Sequence, residues 1–111
     1  MRAPCRANAR RDACKRPGSL SAFLVNHDPV EPAYCYGIDY GGRAAVVSGD
    51  TKKVPNMVRF SRGADLLVHE ALNPEMVEML ASALDQTGNL RAGTMARQVI
   101  EYHTTPLEVA E

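Results

Sequence analysis

Asp50 closes a run, Arg43-Ala44-Ala45-Val46-Val47-Ser48-Gly49, that reads as a short apolar strand ending in a turn of small residues. Ala44 to Val47 are consecutive apolar residues, two of them β-branched, and suit a strand covered on both faces. Gly49 lets the chain bend sharply because it carries no Cβ. Asp50 is then left at the carboxyl end of the strand, where open α/β folds bind their ligands. The competing reading makes Asp50 the N-cap of the helix that follows, since aspartate is favoured there. A second apolar run, Asp65-Leu66-Leu67-Val68, also ends in polar groups, His69-Glu70, and reads as a second buried strand. His103-Thr104-Thr105 and the isolated His27 are the remaining positions of chemical interest.

The elements that must hold these groups follow from periodicity. Leu20 to Val25 is the first strand. Asn26-His27-Asp28-Pro29 and Glu31-Pro32 break it, since the residue before a proline is pushed to extended geometry. Tyr34 to Tyr40 alternates, with Tyr34, Tyr36, Ile38 and Tyr40 on one face and Cys35, Gly37 and Asp39 on the other. Gly41-Gly42 joins this strand to Arg43–Ser48 as a β-hairpin with a primed turn. Val54 to Arg62 has helical spacing, with Gly63 where a C-cap belongs. Strand, helix and strand in about 25 residues make a βαβ unit, so the two strands are expected as parallel neighbours joined by a right-handed crossover. Asp50 and His69-Glu70 must then leave the same edge of one sheet.

Asn73-Pro74 opens a helix with proline in its first turn. Met76, Val77, Met79, Leu80, Ala83 and Leu84 form its apolar stripe, and the methionines read as core filler. A further helix is expected from Ala92 or Thr94 to Tyr102. Thr105, Pro106 and Glu108 have the spacing of a capping box at the start of another.

The net charge of zero is unevenly spread. Residues 1–17 hold Arg2, Arg6, Arg10, Arg11, Lys15 and Arg16 against Asp12 alone, a balance of +5 that leaves −5 for the remainder. Residues 1–18 show no hydrophobic period and read as a disordered basic arm not native to the fold, with residues 19–111 forming one domain. Cys5, Cys14 and Cys35 are an odd number with no C-x-x-C pair, which indicates neither a disulfide framework nor a cysteine zinc site and suits a reducing cytoplasm. No run is long enough to span a bilayer, so no membrane partner is expected.

Taken together, Ser48-Gly49-Asp50-Thr51, Ala64-Asp65-Leu66-Leu67-Val68-His69-Glu70-Ala71 and His103-Thr104-Thr105 resemble the second half of a metallo-β-lactamase-fold hydrolase, in the ribonuclease Z and arylsulfatase-like branch. His27-x-Pro-Val-x-Pro-Ala-Tyr, leading into Tyr36-Gly37 and the glycine hairpin, is similar to the segment that precedes the aspartate in that branch. The likeness covers roughly residues 20–111. It implies an α/β (α+β) fold, part of an αββα sandwich in which a β-hairpin is followed by a βαβ unit and helices.

By the same resemblance Asp50 matches the aspartate that bridges two zinc ions. His103 matches the histidine that protonates the leaving oxygen, and Glu70 the glutamate that orients it. An acid beside a histidine fixes its tautomer. His69, His27 and Thr51 are expected in supporting, structural roles. Leu72 stands where the family has threonine. The family's first metal motif, His-x-His-x-Asp-His, is absent, which leaves Asp50 as one expected ligand where catalytic zinc takes three protein ligands. The expectation is therefore a carboxyl-side part of a zinc-dependent phosphodiesterase or related esterase, inactive and unable to retain zinc by itself. RNA or a small ester is the substrate of the intact family. A split enzyme completed by a partner chain or by a second copy is the alternative, and a non-catalytic module binding RNA through the basic arm is the third reading. A lone half of such a sandwich is expected to expose an apolar sheet face.

Overall fold

The computed structural model describes residues 18–111, so the expected basic arm lies outside the described residues but for Gly18. Strands β1 (Ser19–Val25), β2 (Ala33–Tyr40), β3 (Arg43–Val47) and β4 (Leu66–Val68) form one mixed sheet in the order β1-β2-β3-β4. β1 pairs with β2 and β2 with β3 antiparallel, while β3 and β4 run parallel. The hairpin turns on Gly41 and Gly42, with φ of 56° and 77°, the left-handed pair that a primed turn requires. Helix α1 (Pro55–Ser61) makes the crossover between β3 and β4, so the βαβ unit is present. β1 and β3 each lie antiparallel to β2, and the carboxyl ends of β1, β3 and β4 therefore share one edge.

Helices α2 (Pro74–Gln86) and α3 (Leu90–Val99), a 3₁₀ turn (Ile100–Tyr102) and α4 (Pro106–Ala110) complete the chain. α2 is capped by Asn73, whose side chain accepts from the amides of Glu75 and Met76. α4 has its capping box, with Thr105 and Glu108 each accepting from the other's backbone amide. α3 begins at Leu90 rather than at Ala92 or Thr94, because the Asn89 side chain accepts from the Ala92 amide and opens the helix early. α2 and α3 approach closely where Ala81 and Gly93 meet, and a Cβ at Gly93 would come within 3.0 Å of the Ala81 carbonyl oxygen. Arg97 on α3 joins Glu78 and Asp85 of α2, each at 2.9 Å. The methionine stripe is corrected: Met76 and Met79 are exposed, since α2 turns Ala81 to α3 instead.

The sheet is covered on one face. Phe23, Cys35 and Val46 point to the same side and pack with Met57 of α1, and Phe60 stacks on Phe23 at 4.2 Å between ring centres. On the opposite side Leu20, Leu24, Tyr34, Tyr36, Ile38 and Tyr40 are exposed, so the apolar-rich half of the β2 alternation faces outward. Two expectations fail here. β3 is not covered on both faces, and β4 is not a buried strand, for Leu66, Leu67 and Val68 are all exposed. β4 lies at the sheet edge, and among the described residues no layer packs on the outer face.

A paired substitution measures this asymmetry. Val46→Lys puts a charge where the side chain is 4 % exposed and is expected to cost more than about 3 kcal/mol. Ile38→Lys, at 43 % exposure, is expected to cost under about 1 kcal/mol in the same urea denaturation. Equal losses would contradict a one-sided core.

Candidate metal centre

The edge shared by the carboxyl ends of β1, β3 and β4 collects the polar groups. After β3, Ser48 is buried and its amide donates to the Val68 carbonyl of β4 at 2.9 Å. Gly49 then bends the chain at φ 59°, with its α-carbon so near Tyr34 that a Cβ would sit 2.9 Å from that carbonyl oxygen. Any other residue there meets both a steric and a conformational penalty. Asp50 follows, exposed at the edge. It does not cap the next helix, because α1 begins only at Pro55 with Val54 in the N-cap position and no side-chain cap.

His27 arrives just beyond the end of β1, and His103 just beyond the 3₁₀ turn. One ligand atom from each of His27, Asp50 and His103 lies within 4.8 Å of the others. The two imidazole rings are 4.9 Å apart, nearly edge to face at 75°, and Tyr102 packs 5.1 Å from the His27 ring. Where Asp50 was expected as one ligand, the structure brings three donors together. His27 reaches this edge because β1 pairs antiparallel with β2, which delivers the residues after β1 to the side where Asp50 emerges.

Both histidines are held by their Nδ1 atoms. His27 Nδ1 lies 3.1 Å from the Tyr102 carbonyl oxygen, which can only accept, so this nitrogen carries the proton. His103 Nδ1 lies 3.0 Å from Glu70 Oε1. In each ring the lone pair is thereby assigned to Nε2, and outer partners of this kind orient metal-bound imidazoles. Glu70 Oε1 also accepts from the amides of Thr51 at 3.2 Å and Thr104 at 3.1 Å, so one oxygen serves three donors from two loops. The Glu70 amide in turn donates to Ser48 Oγ at 2.9 Å.

His69 stands apart from the cluster, with Nδ1 2.7 Å from the Glu70 carbonyl oxygen. Thr51 is wholly buried and tied to its neighbours by hydrogen bonds. Cys35 is buried beneath the edge, its thiol donating to the Ser48 carbonyl at 2.6 Å, and burial pushes its pKa up to about 11. It is a neutral packing group, outside the donor set. A hollow of about 650 Å³ lined by Pro74, Met79 and Ile100 lies on α2, but it contains none of these donors. Chemistry, rather than volume, picks out the sheet edge.

Two imidazoles and a carboxylate are a donor set that divalent metal sites use, with further positions left open. Donors that each bind one ion at about 2.1 Å stand at most about 4.2 Å apart, so the three ligand atoms, within 4.8 Å of one another, need only a small adjustment to share one ion. The residues fit a metal ion. Fold and edge together define a mixed α/β protein with a candidate metal centre.

No family model matches the chain. It is similar to proteins named ribonuclease Z: 28% identical over 87 residues to that of Mycobacterium sp. (strain KMS), across 78% of this chain and 27% of the relative. The Mycobacterium marinum ribonuclease Z is 31% identical over 86 residues, 78% of this chain and 27% of its own length. That of Thermoplasma acidophilum is 30% identical over 70 residues, 59% and 23% of the two chains. The chain spans about a quarter of the length of the curated relatives it matches. Among the described residues no helix is long and apolar enough to cross a membrane.

Proposed function

We propose that the chain provides part of the centre of a ribonuclease Z-like, metal-dependent hydrolase, with His27, Asp50 and His103 holding one ion and a phosphodiester of RNA as the substrate. The observation that carries this reading is the convergence of the three donors at one sheet edge. The likeness to proteins named ribonuclease Z supports the substrate class. Zinc held at these donors would polarise a phosphoryl oxygen as a Lewis acid.

The chain's own residues do the positioning. Glu70 keeps the proton of His103 on Nδ1, and the Tyr102 carbonyl does the same for His27. Asp50 offsets the charge of the ion. The donors that converge here are His27, Asp50 and His103 without His69, a set sufficient for one ion.

It extends to the fold as well. The outer, apolar face of the sheet is the surface that a metallo-β-lactamase αββα sandwich would cover with its second sheet. The test is titration of the chelator-treated full chain with Co2+, followed by visible absorption and calorimetry. One equivalent bound with the absorption of a low-coordinate site is the expected outcome. An absence of binding at millimolar Co2+ overturns the reading. His103→Ala is expected to lose the ion in the same titration, and full retention overturns the assignment of His103 as a ligand.

A further inference from the structure

The three donors belong to three segments, and each has a sequence neighbour in one interlocked set of hydrogen bonds. Thr51 follows Asp50, Asn26 precedes His27, and Thr104 follows His103. Thr104 Oγ1 donates to the Thr51 carbonyl at 2.5 Å. Thr51 Oγ1 lies 3.1 Å from the Asn26 carbonyl and 2.8 Å from that of Lys52, so its one proton has two acceptors in reach. The Lys52 amide donates to the same Asn26 carbonyl at 2.9 Å, so the Asp50 and His27 segments stay tied whichever acceptor Thr51 uses. The link from the Asp50 loop to the His103 loop is different. Among the described residues, its direct hydrogen bonds run through the Thr104 hydroxyl and through Glu70.

Thr51 and Thr104 are among the most deeply buried side chains of the described residues, at 0 % and 1 % exposure. Valine has the shape of threonine, so packing alone does not explain a hydroxyl in such a place. A buried hydroxyl costs free energy unless it is bonded, and this one is bonded to the backbone oxygen of the residue after Asp50.

We propose that Thr104 is a positioning residue for the donor cluster, its hydroxyl setting the separation of His103 from Asp50 by anchoring on the Thr51 carbonyl. The inference rests on the metal-centre reading above, and its test keeps the two apart. Full-length wild type, Thr104→Val and Thr104→Ser are compared for Co2+ affinity, visible spectrum and melting temperature. Thr104→Val is expected to bind Co2+ about 10- to 100-fold more weakly with a changed spectrum, while Thr104→Ser stays within about threefold of wild type. If Thr104→Val does not fold, Thr104→Ala takes its place. Wild-type affinity in Thr104→Val, or a serine variant as weak as the valine one, overturns the proposal.

A second readout needs no metal. In the metal-free chain the His103 Nδ1–H resonance, followed by nitrogen-15 NMR, is expected to be slow to exchange in wild type and in Thr104→Ser and lost in Thr104→Val. Should wild type bind no Co2+, the metal-centre reading fails and the resonance alone decides. Its persistence in Thr104→Val then overturns the positioning role.

Discussion

Asp50→Ala is expected to weaken Co2+ binding by more than about a hundredfold, beyond the loss that follows removal of an outer partner of a ligand. The fold should be left almost untouched. Asp50 is the only charged donor of the three-residue set, and two neutral imidazoles cannot balance a divalent ion. Its side chain is exposed, and Val54 occupies the cap of α1, so Asp50 carries no structural duty of a capping residue. Surface substitutions of this kind stay within about 0.5 kcal/mol. Linkage gives the same result a thermal form. An ion present at about a hundred times its Kd stabilises the folded wild type by about 2.7 kcal/mol, and Asp50→Ala should lose that increment while melting like the metal-free wild type. A variant that still gains the metal-dependent rise in Tm would show that the carboxylate is not a ligand.

Much of the architecture was legible because its signals are local. The alternation of Tyr34 to Tyr40, the Gly41-Gly42 turn, the cap at Asn73 and the box at Thr105 each depend on a few neighbouring residues, and each appears in place. The parallel β3-β4 pair followed from the strand-helix-strand order and length of a βαβ unit. Burial was read less well. Val46-Val47 and Leu66-Leu67-Val68 look like interior strands by composition, yet composition records what a strand could bury and not which layer lies against it. The same limit affected Met76 and Met79, whose spacing fits a stripe although the small Ala81 is what meets α3.

The donor cluster divides along similar lines. Asp50 and Glu70 could be placed at one edge by topology, but His27 needed the position of β1 in the sheet, which pairing decides and periodicity does not. The histidine tautomers depended on the Tyr102 carbonyl and on Glu70. Tyr102 lies 75 positions from His27 along the chain, and contacts of that range leave no local pattern.

Glu70→Ala should produce the opposite profile to Asp50→Ala, a large loss of stability. Glu70 Oε1 is the acceptor for the amides of Thr51 and Thr104 and for His103 Nδ1. The two threonines are buried, and a buried N–H left without an acceptor costs about 1 to 3 kcal/mol. Alanine removes the acceptor from all three donors at once, so the expected cost is about 3 to 5 kcal/mol, a large part of the 5 to 15 kcal/mol of a typical domain. Glu70→Gln keeps an oxygen that can meet the same amides and is expected to cost about 1 to 2 kcal/mol, because it surrenders only the charge. Urea denaturation followed by circular dichroism measures both. A loss within about 1 kcal/mol for Glu70→Ala would mean that water reaches these amides and that Glu70 does not join the two loops. If the expected order holds, the carboxylate at the strand tip acts on the ion and the carboxylate behind it on the frame, since Asp50 reaches the imidazoles from outside while Glu70 holds one of them from within.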